Sequence, residues 1–416
     1  MLRIYSYIIK VYFLGIKIFS RFNSKAKLFS EGRENWEQKL REKFPVNKNV
    51  IWFHCASLGE FEQGRPVMEL FKKENPDYFL LLTFFSPSGF EIRKNYSTAD
   101  AVFYLPADNT YNAKKFLDSV SPKIVVFVKY EFWFAFISEI NKRNIPLVFI
   151  SCIFRDKHFL FKWYGKWSLK YIKNCRMIFV QNENSFNNLQ KLNFKNIEIA
   201  KDTRFDRVYE SSQKVELPLA IIEWAKNKTV FVFGSTWHED EKVIKILVTS
   251  LQKTFRNLGF IIVPHEVDET HISVTKKLFD NFNTKCISEN EWSGAEIIIV
   301  DKIGLLSNLY SLSKIAYVGG GFGSGIHNLL EPAVFGVPVI FAKNNAKFEE
   351  AQNLKTLKAG FEIVDSTGLI SIYTYLLNNS PSLIESGEKA KKYVLDNTGG
   401  SKQIVNYLNQ TINKPI

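Results

Sequence analysis

The chain has 416 residues, 46% hydrophobic and 23% charged, with a formal net charge of +13 at pH 7. That length predicts two domains rather than one core, and the balance excludes a disordered chain. The surplus of cations favours an anionic partner (nucleic acid, an acidic membrane or an acidic substrate), while Cys55, Cys152, Cys175 and Cys286, far apart and without a CxxC pair, exclude a disulfide framework and predict free thiols.

The chain starts MLRIYSYIIKVYFLGIKIFSRF, with no small-residue cleavage site after it. Lys10 and Lys17 interrupt the apolar run, whereas a membrane span needs about 20 apolar residues. Arg3, Lys10 and Lys17 recur at one helical face, with Ser6 and Ser20 near the same stripe, and the other positions are mostly Ile, Leu, Tyr, Phe and Val. This is the pattern of a helix lying in a membrane surface, its cations toward anionic headgroups. Arg21, Lys25 and Lys27 extend the basic region, so residues 1–30 are expected to form a membrane-associated N-terminal helix and basic segment. A tilted span and a helix docked on a soluble domain are the other readings.

From residue 50, apolar runs alternate with amphipathic stretches: VIWFHC (50–55), YFLLLTFF (78–85), AVFYLP (101–106), KIVVFVK (123–129), PLVFIS (146–151), RMIFVQ (176–181) and IEIA (197–200). The rhythm restarts with TVFVFGS (229–235), FIIVPH (260–265), EIIIVD (296–301), KIAYVGG (314–320), VPVIFA (337–342) and FEIV (361–364). Strands alternating with helices predict parallel sheets covered on both faces. The expected class is α/β: two Rossmann-like doubly wound domains facing a cleft. The expected domains are 31–208 and 209–395, with a C-terminal helix at 396–416 crossing back to the first. Ligands of such sheets bind beyond the carboxyl ends of the strands, so the residues there are read for chemistry.

After the first run comes ASLGEFE, and Glu60 in it reads two ways. It is a helix-start acid complementing the helix dipole, or a general base at a ligand site. Glu62 keeps the first reading only. In the second domain, a strand leads into Gly319-Gly320-Gly321, then Gly323 and Gly325, then His327, Asn328, Glu331 and Pro332. Glycines let backbone approach a ligand, a helix start suits a phosphate, and Glu331 suits a ribose diol. A flexible loop with a capped helix is the alternative.

These segments together resemble the 3-deoxy-D-manno-octulosonic acid (Kdo) transferase family of lipopolysaccharide biosynthesis. The matching stretches are Ser57-Leu58-Gly59-Glu60, Glu131-Phe132-Trp133, Arg204-Phe205-Asp206 and the glycine-rich block through Glu331-Pro332. The resemblance covers nearly the whole chain and implies the GT-B glycosyltransferase fold. It implies inverting transfer of Kdo from CMP-Kdo to a lipid A precursor of the lipid IVA type, at the cytoplasmic face of the cell inner membrane. It implies that Glu60 is the general base and that Glu131 and Arg204 support the transition state. The family pattern has an acid two residues before the second glutamate. This chain has Lys129 there, which counts against paired carboxylates within that segment.

For CMP the resemblance implies Pro264-His265, where the family has Pro-Arg, together with Ile303-Gly304-Leu305 and Asn328, Leu329, Leu330 and Glu331. Ser235, Thr236, Gly320, Gly321 and His327 are further donor-contact candidates. His238 and the acids Glu239, Asp240 and Glu241 are expected to be a solvated helix start. No metal-ligand spacing is found among the histidines, and no metal or other cofactor is expected. The expected partners are CMP-Kdo, a lipid A precursor and an anionic membrane surface. No basic patch with interleaved aromatics points to nucleic acid. The rivals are a GT-B transferase using a UDP-sugar and a non-catalytic basic protein binding nucleic acid or membrane.

Overall fold

The structure, a computed structural model, describes residues 1–44, 48–289, 291–323 and 325–413. The chain divides into two units, Met1–Asp206 with Thr398–Ile416, and Arg207–Asn397.

The sheet of the first unit contains β1 (Val50–Cys55), β2 (Phe79–Phe84), β3 (Ala101–Tyr104), β4 (Ile124–Val128), β5 (Leu147–Cys152), β6 (Met177–Val180) and β7 (Ile197–Ile199). All neighbours pair in parallel, in the order β3-β2-β1-β4-β5-β6-β7. Every residue of β1, β2, β4 and β5 is buried, as in a sheet covered on both faces. Alternate side chains feed opposite cores: Val50 and Trp52 one, Ile51, Phe53 and Cys55 the other. The strand order reverses between β1 and β4, and such a reversal opens a ligand crevice beyond the strand ends.

The C-terminal helix Gly400–Asn413 belongs to this unit, adding Ile404, Val405 and Leu408 to the core of Phe53 and Phe61. Asp206 holds its start, accepting the N–H of Gly399 at 2.5 Å and of Ser401 at 2.7 Å. The N-terminal helix Leu2–Phe19 has no buried residue. Leu2, Tyr5, Ser6, Ile9, Phe13, Ile16 and Ser20 form its half-buried stripe. Tyr5 meets Phe134 and Trp167, and Phe13 meets Phe29 and Phe85. Ser6 and Ser20 therefore lie on the docked side, while Arg3, Lys10 and Lys17 are exposed. No helix among the described residues is long and apolar enough to cross a membrane.

The second sheet contains β8 (Thr229–Thr236), β9 (Leu258–Pro264), β10 (Thr284–Cys286), β11 (Ile297–Ile299), β12 (Ile315–Val318), β13 (Val339–Ala342) and β14 (Gly360–Ile363). It is also parallel, in the order β10-β11-β9-β8-β12-β13-β14, and reverses between β8 and β12. Every apolar run picked out in the sequence lies on a strand. The exception in the other direction is β10, an edge strand of Thr-Lys-Cys whose composition gives no strand signal.

Candidate active site

Glu60 follows β1 and Glu131 follows β4, the two strands at the reversal of the first sheet. The Ser57 cap and the helix Leu58–Glu74 put Glu60 in a first helical turn. Its Oε2 accepts the N–H of Ala56 at 2.5 Å. So the helix-start reading holds geometrically: the side chain turns back onto amides before the helix. A second relationship goes beyond it, because the Glu131 carboxyl lies within hydrogen-bonding reach of Glu60.

Burial, then the charge and the close contact of Glu60, push Glu131 up to about 8, opposed by Lys129 and Trp133. Burial also raises Glu60, offset by the Ala56 amide, Lys129, Glu131 and the Ser57 amide. Burial raises both carboxyls, and the neighbouring Glu60 charge raises Glu131 further, so the pair favours holding a proton between them. Two carboxyls in one site cannot both ionise freely. Lys129 removes a pair within its own segment, but the fold supplies one from two strand ends. Lys129 itself adopts the left-handed region, φ 63°, where a residue with a Cβ is strained. Gly59 faces open space, with nothing within 4 Å of where a Cβ would stand.

A buried polar chain holds the Glu131 segment. The Trp133 indole donates to His54 Nε2 at 2.8 Å, and His54 Nδ1 lies 2.9 Å from Thr83 Oγ1. An indole only donates, so Nε2 accepts and Nδ1 carries the proton. Thr83 also accepts from Trp52 Nε1 at 2.7 Å. Complete burial, with the Arg33 charge, pushes His54 down to about 3, which keeps it neutral. The Trp133 amide in turn bonds the Glu131 carbonyl at 3.2 Å.

Arg204 lies in the first turn of the helix Thr203–Ser212. Its guanidinium pairs with Asp202, Nε to Oδ2 at 2.8 Å, not with Asp206. Thr203 Oγ1 donates to the Gln63 carbonyl at 2.5 Å, which fixes this helix start one turn along from Glu60.

In the second unit, Thr236, His265, Gly320 and His327 gather where β8 and β12 reverse. His265 stacks on Trp237 at 4.7 Å and on His327 at 4.3 Å between ring centroids. Trp237 Nε1 donates to His327 Nε2 at 3.1 Å, and burial with the His265 charge pushes His327 down to about 4. Asp240 accepts from Tyr317 Oη at 2.6 Å, Trp237 N–H at 2.9 Å and Gly320 N–H at 3.0 Å. Glu241 is fully buried and accepts from Thr236 at 3.0 Å and Thr275 at 2.9 Å, with His271 Nε2 at 3.1 Å. The stretch expected to be a solvated helix start is thus a buried polar knot at Asp240 and Glu241. The glycines also have an internal reason: a Cβ on Gly319 would stand 2.4 Å from the Ser235 carbonyl oxygen, and one on Gly320 2.4 Å from that of Gly325.

The helix at Glu331 is a single turn, Leu330–Ala333. Asn328 occupies its start, accepting the Leu330 N–H and donating to Glu331 Oε1, each at 3.1 Å. Ile303-Gly304-Leu305 precede a short helix, Leu306–Leu309, and Ile303 is exposed. Pro264 ends β9, Gly321 packs against Ala342, and Leu329 and Leu330 are core residues. Among the described residues, no group of three or more His, Cys, Asp or Glu is placed to hold a metal ion.

Residues 34–207 match the family model described as "3-Deoxy-D-manno-octulosonic-acid transferase (kdotransferase)". The 3-deoxy-D-manno-octulosonic acid transferase of Rickettsia conorii is 28% identical over 376 residues, 87% of this chain and 78% of that protein. The Aquifex aeolicus protein of the same name is 29% identical over 338 residues, 80% of this chain and 87% of that protein. The chain is thus similar to Kdo transferases over most of its length. Its fold is that of GT-B proteins, as in the UDP-GlcNAc 2-epimerase of Neisseria meningitidis, with a TM-score of 0.62 and 17% identity, covering 88% of this chain and 100% of that one.

The Kdo transferase match contains Glu60, Glu131 and Arg204; the second-unit candidates lie outside it. Sequence reasoning missed His54, Trp237, Asp240 and Glu241 as organisers. His54 gave one signal, a polar residue next to last in a six-residue strand that is otherwise apolar. Asp240 and Glu241 gave none, because acids in a first helical turn are usually solvated.

Proposed function

We propose that this glycosyltransferase moves Kdo, with inversion, from CMP-Kdo to a lipid A precursor of the lipid IVA type, with Glu60 as general base. The observation that carries the reading is the placing of the buried Glu60 and of Glu131 together at the β1–β4 reversal. A sugar hydroxyl is too weak an acid to attack alone. The Glu60 carboxylate takes its proton as the oxygen bonds to the anomeric carbon. The bond from that carbon to the CMP phosphate oxygen breaks on the opposite face, and CMP leaves with the bonding pair. A phosphate monoester is already a good leaving group, so no strong acid is needed. Glu131 keeps its proton and donates to Glu60, holding it ionised. Arg204 balances charge on the donor phosphate or carboxylate. The second unit supplies the CMP groups: the backbone at Pro264-His265 and Ile303–Leu305, and Asn328 through Glu331. The chemistry needs no metal or cofactor.

The reaction takes place at the cytoplasmic face of the inner membrane. The helix Leu2–Phe19 supports this, since Ile4, Ile8, Val11 and Ile18 are exposed opposite the docked stripe, with Arg3, Lys10 and Lys17 at the flank. Removing residues 1–22 is a poor test, because Tyr5 donates to the buried Asp108 at 2.6 Å. Ile8→Ser with Val11→Ser and Ile18→Ser is cleaner; membrane fractionation unchanged from the parent rejects the anchor.

The deciding experiment is incubation with CMP-Kdo and a bisphosphorylated tetra-acyl lipid A precursor, read by mass spectrometry. A mass increase of one or more Kdo units is expected; an unchanged acceptor overturns the assignment.

A further inference from the structure

Beyond the N-terminal helix, two neighbouring aromatic side chains stand exposed as a pair. Trp163 is 84% and Tyr164 54% exposed, and their rings meet each other at 5.8 Å. They sit in the 3-10 helix Trp163–Ser168, which is built rigidly. Gly165 is buried, and a Cβ there would stand 2.1 Å from the Phe159 carbonyl oxygen. Ser168 Oγ donates to the Gly165 carbonyl at 2.6 Å. Trp167 turns inward onto Phe134, at 4.8 Å, and onto Tyr5 of the N-terminal helix, at 6.3 Å. The inner side of the turn is fixed while Trp163 and Tyr164 are held out in water.

Their surroundings are strongly one-signed. Arg155, Lys157, Lys162, Lys166, Lys170 and Lys173 are exposed, and Asp156 is the one acid of that stretch. Trp and Tyr favour the headgroup level of a bilayer, where an apolar ring and a polar edge are both satisfied. Lysines beside them add attraction to anionic lipid, about 1 kcal/mol each near the surface. The segment also leans on the residues around Glu131: His158 lies 5.2 Å from Tyr130 and 6.1 Å from Phe132, ring to ring.

We propose that Trp163 and Tyr164 are a second membrane-inserting element, a wedge that enters the headgroup layer of an anionic bilayer beside the N-terminal helix. The inference rests on the membrane-surface reading above. Two contacts fix the tilt of the first unit, where one helix alone leaves it free to roll. Because the wedge follows β5, it also keeps the carboxyl end of the sheet, with Glu60 and Glu131, at the level of a lipid headgroup.

The test uses the full chain carrying Trp163→Cys or Tyr7→Cys, each labelled with an environment-sensitive fluorophore; the native cysteines are all buried and spare the labelling. With phosphatidylglycerol-rich vesicles, both probes are expected to shift blue and to be quenched by spin-labelled lipid. Phosphatidylcholine vesicles should give weaker changes. If the probe at 7 enters and that at 163 stays in water, the wedge is rejected and the anchor stands. If neither enters, both readings fall. Independently, Trp163→Ser with Tyr164→Ser should weaken partition onto anionic vesicles by about tenfold or more, from partial burial of two aromatic rings. Turnover of detergent-dispersed acceptor should be unchanged. Unaltered partition, or a dimer in solution that these substitutions dissociate, overturns the proposal.

Discussion

Glu131 and Glu60, two acids from separate strand ends, lie within hydrogen-bonding reach of each other in one buried site. The pair titrates as a unit. As pH falls, Glu60 takes a proton earlier than an ordinary carboxylate does, and the proposed base is lost. As pH rises through about 8, Glu131 loses its proton, and a second negative charge appears beside Glu60. A bell-shaped kcat/KM profile is expected. Glu131→Gln donates without titrating, so it should retain the acid limb and lose the alkaline one. An alkaline limb that survives unchanged in that variant removes Glu131 as its source.

The same shift bears on stability. A carboxyl raised on folding stabilises the native state fully below its unfolded value, and that contribution is lost as pH rises to about 8. The melting temperature should therefore fall across that window, and Glu131→Gln should flatten the fall. Calorimetry on both proteins checks it.

Removing the proposed base is the sharper kinetic test. Glu60→Gln should lower kcat by about 10²–10⁴-fold, the usual range for a general base. CMP should still bind, because the CMP candidates are all in the second unit. Arg204→Ala should cost about 10²-fold if its guanidinium meets charge in the transition state. Near-parental turnover in either variant sinks that residue's role.

Trp133→Phe keeps the ring but removes its one donor. His54 Nε2 is then left unsatisfied in a fully buried site, a loss of about 1–3 kcal/mol. The Glu131 segment loosens with it, so kcat should fall more than KM rises. Urea unfolding with steady-state kinetics separates the two effects, and a variant equal to the parent in both shows that the chain positions nothing.

Much of this was legible because parallel strands buried on both faces are written as unbroken apolar runs. VIWFHC coincides with β1 to the residue. The turn after it could be read for chemistry because Ser57, Gly59 and Glu60 are not apolar, only Leu58 there packing on the core. What stayed hidden was pairing across distance. Glu60 and Glu131 are 71 positions apart in the chain, and only the strand order 1-4 brings them together. Burial of charge was hidden for the same reason: Glu241 looks like any first-turn acid until Thr236, Thr275 and His271 close over it. Gly319 and Gly320 were read as room for a ligand, but carbonyls of their own unit already claim that room.

Donor choice separates the CMP reading from a UDP-sugar transferase of the same fold. A ligand that binds only the native state stabilises it by about 2.7 kcal/mol at a hundred times its Kd. CMP should therefore raise the melting temperature in a concentration-dependent way, and UDP should not. His265 is exposed at its edge while stacked between Trp237 and His327, so His265→Ala removes a ring without opening the core. That variant should reduce the CMP shift and leave the unliganded melting temperature nearly unchanged. Equal stabilisation by UDP would move the assignment to a UDP-sugar donor. A CMP shift that His265→Ala does not reduce would place the nucleotide away from the β8–β12 reversal.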